Sequence, residues 1–264
     1  MLFTLPFPAI DPVLISLGPL AIRWYSLAYI AGLLLGWQGM KRLSRHSPKA
    51  MTEQHAEDML LWLTLGVVIG GRLGYVLFYD LAYFIENPAK IVMVWLGGMS
   101  FHGGILGVTI FGYLFVRKHK LNFLAVADVV ACVSPIGLFF GRIANFINGE
   151  HFGRPTDVGW AMVFPRGGPL PRHPSQLYEA ALEGLLLFII LQFLWRNEAI
   201  RTKPGILTGV FLAGYALARS SLEFVRDPDE IINLVITEIT IGQLLSLPML
   251  LIGLYLIYRG RKAA

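Results

Sequence analysis

Charged residues are scarce in this 264-residue chain, and their scarcity excludes a soluble domain of ordinary composition. Only 15% of the residues are charged and 55% are hydrophobic, whereas soluble domains carry about 25% charged residues. Apolar stretches long enough to cross a bilayer, which takes about 20 residues, recur along the chain. The composition therefore predicts an all-α polytopic membrane protein with little room for a separate soluble domain.

Cysteine and the common catalytic motifs are nearly absent as well. The single cysteine, Cys132, lies inside an apolar run and can build neither a disulfide framework nor a cysteine metal site. The sequence contains no HExxH motif and no GxSxG motif. We therefore expect no metal and no cofactor, and we expect any nucleophile to arrive with a substrate.

Seven apolar stretches predict about seven transmembrane helices. Their approximate bounds are 19–40, 57–79, 99–117, 121–140, 176–195, 205–225 and 240–258. The net charge of +5 comes from basic residues that cluster between these stretches and form no face for a phosphate backbone. No nucleic-acid partner is expected, and the basic clusters carry information about topology instead.

The basic clusters all fall on one side of the membrane if the chain crosses it seven times. They are Lys41/Arg42/Arg45/Lys49, Arg117/Lys118/Lys120, Arg196/Arg201/Lys203 and Arg259/Arg261/Lys262. Because positive loops stay in the cytoplasm, we predict an outside N-terminus and a cytoplasmic C-terminus. Residues 1–264 then form a single integral membrane domain with outer loops at 80–98, 141–175 and 226–239. The longest of these, 141–175, is predicted to form a small extracytoplasmic cap.

Polar residues from six of the seven spans share one depth under this topology. They are Tyr25, Arg72, His102, Arg142, Asn145, His173, Gln176, Glu179, Arg219 and Glu223. Helical spacing puts Arg142 and Asn145 on one face, and it puts Tyr215, Arg219 and Glu223 on another. A charge at the bilayer centre costs roughly 2.5–3.5 kcal/mol on insertion scales, so such residues usually face a cavity or each other. Because arginine forks bind phosphate well, the pattern predicts a chamber near the outer leaflet for an anionic lipid headgroup.

Structural alternatives exist for each of these residues. Arg142 and Arg219 could instead pair with carboxylates such as Glu150, Glu179 or Glu223, only to hold helices together. Arg72 could be a helix-packing element, Tyr25 an interfacial anchor, and His151 and His173 loop residues. Asp128 is interpreted as a helix-pairing group.

Two other classes of function compete with an enzyme. A transporter for lipids or small anions would also use intramembrane arginines, but it predicts polar residues in both leaflets. The inner halves of the spans are almost purely apolar apart from Asp128, which favours an enzyme that works from one side. A structural membrane subunit would leave its arginines paired and dispensable.

Several motifs, in order, resemble those of the prolipoprotein diacylglyceryl transferase family. They are "GGRLGYVLFY" (70–79), "SFHGG" (100–104), "GRIANFINGEHFGR" (141–154), "HPSQLYEA" (173–180) and "YALARSSLEFVR" (215–226). The resemblance runs from "WYSLAY" (24–29) to the seventh span, which is nearly the whole chain. One local departure is His151, where an apolar or aromatic residue is expected.

The resemblance implies a reaction and its partners. A diacylglyceryl group would move from phosphatidylglycerol to the lipobox cysteine thiol that follows a prolipoprotein signal peptide. A thioether would form and glycerol phosphate would leave, as the first step of lipoprotein maturation. The expected location is the bacterial inner membrane, crossed several times, with membrane lipid as a partner.

The resemblance also implies roles for residues that match the family motifs. Arg142 and Arg219 would bind the phosphate and offset its developing charge. His102 is the candidate base for a thiol whose reference pKa is about 8.5, although the sequence does not fix which residue is the base. The substrate-binding and orienting residues would be Tyr25, Asn145, Glu150, Gly153, Tyr215 and Glu223.

Overall fold

Helices occur at all seven positions where apolar stretches predict them. The computed structural model describes residues 5–8, 10–18, 20–227, 231–233 and 238–262. The long helices are α1 (Trp24–Ser44), α2 (Glu53–Phe78), α4 (Phe101–His119), α5 (Phe123–Ile147), α6 (Ser175–Glu179) continuing through a π-helical segment (Ala180–Leu186) into α7 (Leu187–Trp195), α9 (Ile206–Leu222) and α10 (Ile241–Lys262).

Shorter elements connect these helices. They are the strands β1 (Val13–Leu17), β2 (Leu20–Arg23), β3 (Ile231–Asn233) and β4 (Glu238–Thr240), the helices α3 (Leu81–Glu86) and α8 (Glu198–Arg201), and the 3-10 turns Pro88–Val92 and Val94–Leu96. The strands form two antiparallel pairs, β1 with β2 and β3 with β4. The predicted outer loop 226–239 lies partly outside the described residues.

Among the residues that the structure describes, four helices are long and apolar enough to cross a membrane. They are Glu53–Phe78, Phe123–Ile147, Ser175–Trp195 and Gly242–Lys262, and Ile206–Leu222 is apolar but shorter. The mostly helical fold and these apolar helices confirm the predicted membrane-protein character. The number of seven spans and their orientation stay predictions.

The chain forms two compact units. The first combines residues Met1–Gly39 with Ala127–Ala264, and the second is the continuous stretch Met40–Val126. The first unit therefore contains most of α5 and everything that follows it, together with the N-terminal hairpin and most of α1.

In the first unit, α9 and α10 touch along their backbones. A Cβ atom added at Gly209 would lie 2.7 Å from the Gly253 carbonyl oxygen, closer than real Cβ atoms come. The start of α9 is fixed by Asp128 of α5. Its carboxylate accepts hydrogen bonds from the Gly205 and Thr208 N–H groups at 2.8 and 2.7 Å, and from the Thr208 hydroxyl at 2.6 Å. The interpretation of Asp128 as a helix-pairing group is therefore confirmed.

In the second unit, α2 and α4 pack through glycines. A Cβ atom at Gly70 would lie 2.6 Å from the Gly107 Cα, and one at Gly74 would lie 2.6 Å from the Gly103 Cα. Small residues at a helix contact let two backbones approach closely. The glycines of "GGRLG" and "HGGILG" therefore allow α2 and α4 to pack closely.

Two local features differ from the expectations. Helix α5 is predicted to end near residue 140, but it continues to Ile147, so the first half of the "GRIANFINGEHFGR" motif is helical. The first predicted span begins as the β1–β2 hairpin, which runs from Val13 to Arg23 before α1 starts at Trp24. A search for apolar runs stops at polar residues such as Arg142, and it does not distinguish a short apolar strand from the start of a helix.

Candidate active site

Charged side chains collect among the helices of the first unit. The Arg142 Nε atom of α5 is 3.0 Å from Glu179 Oε2, and its Nη2 atom donates to Glu183 Oε2 at 3.2 Å. Arg226, which follows α9, donates through Nη1 to the other oxygen of Glu179 at 2.8 Å. Both glutamates are 0% exposed. Because a buried carboxylate is costly unless it is paired, each depends on the arginines that it contacts.

The helix that carries both glutamates is widened at this point. Glu179 ends α6, and Glu183 lies within the π-helical segment Ala180–Leu186. Segments of π-helix are rare and frequently occur at functional sites. The same segment packs tightly on α5, because a Cβ atom at Gly184 would lie 2.8 Å from the Phe139 Cα. The local structure thus holds both carboxylates against Arg142.

A second ion pair lies on α9. Arg219 Nη1 donates to Glu223 Oε2, four residues later on the same helix, and both side chains are largely buried. The start of α10 passes close by. A Cβ atom at Gly242 would lie 2.9 Å from both Arg219 Nη2 and Glu223 Oε2, so a side chain at this position would press against the ion pair.

Tyr215 connects the two groups of charges. It lies one helical turn before Arg219 on α9, and its hydroxyl interacts electrostatically with Glu183, Arg142 and Arg219. The structure therefore brings the predicted residues Arg142, Tyr215, Arg219 and Glu223 into one buried polar region. We call this region, together with Glu179, Glu183 and Arg226, the arginine–carboxylate cluster.

Asn145, Glu150 and Tyr25 form a further polar group in the same unit. Glu150 Oε1 accepts hydrogen bonds from Asn145 Nδ2 at 2.9 Å and from Asn148 Nδ2 at 3.3 Å. Tyr25 interacts with Asn145 and with the charge of Glu150, and its hydroxyl is 3.5 Å from that of Tyr29. Three of the predicted substrate-binding residues thus contact one another. The amide of Asn148, which sequence reasoning did not single out, completes the group.

Gly153 has a packing role. Its N–H donates to the His173 carbonyl oxygen at 2.8 Å, and its backbone pairs with that of Arg226. A Cβ atom at this position would lie 2.7 Å from the His173 Cβ and closer still to the Val225 carbonyl oxygen. A side chain cannot be accommodated there, so the structure explains this residue by close backbone approach.

His102 belongs to the second unit. It lies in the first turn of α4, where the Ser100 side chain caps the helix by accepting a hydrogen bond from Gly103 N–H. An open cavity of about 410 Å³ is lined by Phe78, Tyr79, Ser100 and His102. The imidazole therefore borders a space that a substrate can enter.

Arg72 of α2 has a structural environment. Its guanidinium donates to the carbonyl oxygens of Ile91 at 2.8 Å, Lys90 at 2.5 Å, and Gly97 and Gly98 at 2.5 and 3.1 Å. It also lies over the Phe84 ring, 5.0 Å from the centroid. Its donors thus hold the irregular segment between α3 and α4, as in the helix-packing alternative.

His151 and His173 are loop residues, as the structural alternative predicted. His151 has a positive φ of 56°, and its carbonyl oxygen accepts a hydrogen bond from the Ser175 hydroxyl at 3.0 Å. His173 Nδ1 lies 3.3 Å from the Tyr178 hydroxyl. Burial lowers the pKa of His173, which favours its neutral form.

Arg226 is a residue of the cluster that sequence reasoning missed. Arg226 was quoted within "YALARSSLEFVR" but was not assigned to the site. The available signal was spacing, because Arg226 follows Arg219 by two helical turns. That signal was weak because α9 ends at Leu222, so Arg226 reaches the cluster from a bend and a short strand pairing.

The donors of Arg142 show what the cluster can do chemically. Its Nε and Nη2 atoms face Glu179 and Glu183, whereas its Nη1 atom has no acceptor among the residues that the structure describes. A guanidinium offers five N–H donors in a fixed fork. One edge of Arg142 is therefore anchored, and the other can receive an oxyanion.

The fold and the cluster together define a class: a helical membrane protein with arginine–carboxylate pairs held among its apolar helices. A sequence profile of the prolipoprotein diacylglyceryl transferase family matches residues 12–259. Since this match covers nearly the whole length, the chain belongs to that family. This membership confirms the resemblance seen in the sequence motifs and the prediction of a transferase.

Several bacterial relatives cover the whole chain or nearly all of it. A phosphatidylglycerol–prolipoprotein diacylglyceryl transferase of Rhodospirillum rubrum is 58% identical over 265 residues, covering 100% of this chain and 97% of the relative. A protein of the same name from Paramagnetospirillum magneticum is 59% identical over 269 residues and is covered completely, as is this chain. Another from Allorhizobium ampelinum is 53% identical, covering 98% of this chain and 93% of the relative.

Proposed function

We propose that this protein transfers the diacylglyceryl group of phosphatidylglycerol to the lipobox cysteine of a prolipoprotein. The carbon–sulfur bond forms while the bond between the glyceryl carbon and the phosphate oxygen breaks. The thiol gives up its proton to a base, and glycerol phosphate leaves. Family membership supports the reaction, and the anchored guanidinium of Arg142 is the observation that carries the mechanism.

Arg142 and Arg219 bind the phosphate and offset the charge that develops as it leaves. The carboxylates Glu179 and Glu183 hold one edge of Arg142, which fixes the direction of the other edge before the lipid arrives. Preorganised donors of this kind need no reorganisation at the moment of reaction. Glu223 orients Arg219 in the same way.

Neutral polar groups orient the donor lipid. Tyr25 and Tyr215 supply hydroxyls to donor oxygens, and the Asn145–Glu150 pair holds its amide and carboxylate in a fixed geometry. Gly153 contributes indirectly, because its close backbone approach fixes the segment that follows α5.

His102 acts as the base that removes the thiol proton. It borders the cavity of about 410 Å³ next to Phe78 and Tyr79. A thiol with a reference pKa near 8.5 is mostly protonated at neutral pH, so a base within hydrogen-bond reach accelerates the attack.

The protein works in the bacterial inner membrane, which it crosses seven times with its N-terminus outside. The basic clusters on one side support this orientation. Residues 141–175 then form an extracytoplasmic cap, and the arginine–carboxylate cluster lies at the depth of the outer-leaflet headgroups.

The decisive experiment uses purified protein in detergent with phosphatidylglycerol and a peptide that carries a lipobox cysteine. We expect a peptide product with the mass of the diacylglyceryl thioether. Arg142→Ala should lower the rate by about 10²–10³-fold, the loss typical of one removed oxyanion donor. Arg45→Ala is the matched control, because Arg45 forms an exposed ion pair with Glu53, and it should keep full activity.

Two outcomes contradict the proposal. Wild-type protein that yields no thioether, but moves the lipid between vesicle leaflets, would support the transporter alternative. Unchanged activity of Arg142→Ala at equal protein level would remove Arg142 from the mechanism.

A further inference from the structure

The Glu179 carboxylate contacts a second arginine, Arg226, in addition to Arg142. Glu179 accepts from Arg226 Nη1 at Oε1, at 2.8 Å, and its Oε2 atom is 3.0 Å from Arg142 Nε. Its side chain is 0% exposed, and that of Arg226 is 6% exposed. Water therefore screens both contacts only weakly, and two arginines share the charge of Glu179.

The backbone fixes Arg226 in this position. Its carbonyl oxygen accepts a hydrogen bond from Arg154 Nε at 2.9 Å, and the Arg154 N–H donates to the Val225 carbonyl oxygen at 2.9 Å. The strand pairing between Gly153 and Arg226 adds to this. The segment 150–154, which follows α5, thus holds the side chain that meets Glu179.

The charge balance around Arg142 depends on Arg226. Glu179 and Glu183 bring two negative charges to Arg142, and Arg226 brings the second positive charge that balances them. Without Arg226, the carboxylate pair would outweigh Arg142 in a poorly screened environment. An arriving phosphate anion would then be repelled, and the Arg142 guanidinium would be drawn more strongly toward Glu179.

We infer that Arg226 is a positioning residue that sets the affinity of Arg142 for the donor phosphate by sharing Glu179 with it. This inference rests on the proposed function, because it concerns the same phosphate. It assigns to Arg226 no contact with either substrate. Its effect passes through Glu179 to the orientation and available charge of Arg142.

The test compares Arg226→Gln, Arg226→Lys and the double variant Glu179→Gln/Arg226→Gln in the transfer assay. Arg226→Gln should raise the KM for phosphatidylglycerol about tenfold or more, while the KM for the lipobox peptide changes less than about twofold. Arg226→Lys keeps the charge, so its KM values for phosphatidylglycerol and for the lipobox peptide should both stay within about threefold of those of wild type. The double variant restores the charge balance and should recover most of the lost affinity for phosphatidylglycerol.

Arg172→Gln is the matched control. Arg172 is another partly buried arginine of this region, bound to Asp227 and to the carbonyl oxygens of Gly153 and Gly167. It has no described contact with the two glutamates. Its replacement should lower the thermal unfolding temperature in detergent without changing the KM for phosphatidylglycerol.

Three results would overturn the inference. They are an unchanged KM for phosphatidylglycerol in Arg226→Gln, a parallel rise of both KM values, and a double variant with lower affinity than the single one. If Arg226→Gln does not fold, the lysine variant and the double variant decide between these outcomes. Failure of the proposed function looks different, because wild-type protein would then yield no thioether at all.

Discussion

Two arginines of this protein, Arg72 and Arg142, use the same type of side chain for different purposes. Arg72 donates to four backbone carbonyl oxygens of one irregular segment. Arg142 meets two carboxylates along one edge of its fork. Carbonyl oxygens carry no net charge, so no carboxylate among the described residues neutralises Arg72. Its hydrogen bonds to these carbonyls leave few N–H donors for a ligand. The carboxylates neutralise part of the charge of Arg142, but its Nη1 atom keeps N–H donors for a ligand. Of the two arrangements, this one suits the binding of an anion.

The proposed base can be tested through its dependence on pH. His102→Gln should slow transfer by about 10²–10⁴-fold at neutral pH, the usual contribution of base catalysis. The defect should shrink as pH rises toward the reference thiol pKa of about 8.5, because more thiolate then forms without a base. The measurement is the transfer rate of variant and wild type between pH 6.5 and 9, together with the KM for phosphatidylglycerol.

The expected KM for phosphatidylglycerol in His102→Gln is close to that of wild type. A variant that loses lipid affinity and shows no recovery at high pH would make His102 a headgroup or structural residue instead.

At the scale of elements, the contact between α2 and α4 depends on the absence of side chains. Glycines at 66, 70 and 74 of α2 meet glycines at 103 and 107 of α4 with backbone atoms nearly in contact. Gly112, further along α4, has more room, since a Cβ atom there would lie 3.7 Å from Leu63 Cδ2. The helix contact therefore requires glycine at one end of the pair and does not require it at the other.

Gly70→Ala and Gly112→Ala should accordingly have opposite effects on the stability of the protein. Alanine is favoured over glycine within a helix by about 0.8–1 kcal/mol, so Gly112→Ala should leave stability unchanged or raise it. At Gly70 the new methyl would lie 2.6 Å from the Gly107 Cα, and overpacking of this kind typically costs 1–3 kcal/mol. Thermal unfolding of both variants in detergent gives the comparison. Equal stability would show that α2 and α4 can separate without penalty.

The elements also show how far the sequence predicts the structure. Apolar runs located all seven long helices, because each helix consists largely of apolar residues. The π-helical segment had no signal in the sequence. The acceptors of Arg72 had none either, because they are backbone carbonyl oxygens, which every residue carries. Arg226 was missed because its place in the cluster depends on a strand pairing between distant segments.

At the scale of the whole molecule, the predicted orientation can be tested by chemical labelling. Pro169 lies in the predicted outer cap and Lys118 in a predicted cytoplasmic cluster, and both are exposed. Cysteines placed there in a Cys132→Ser background should differ in intact spheroplasts. An impermeant thiol reagent should label position 169 and leave position 118 unlabelled, because Lys118 belongs to a basic loop that stays inside.

Native thiols do not complicate this measurement, because Cys132 is the single cysteine of the chain and is replaced in this background. The reverse labelling pattern would place the arginine–carboxylate cluster toward the cytoplasm and remove it from the outer leaflet.

The division of the chain into two units determines which unit is completed first during synthesis. Residues Met40–Val126 form the second unit as one continuous stretch, whereas Met1–Gly39 belong to a unit whose remainder begins at Ala127. A ribosome therefore completes the second unit first. Arg142 then enters the membrane 37 residues ahead of Glu179 and 41 ahead of Glu183. During that interval α5 carries an unpaired cation, so its stable insertion depends on helices that have not yet been made.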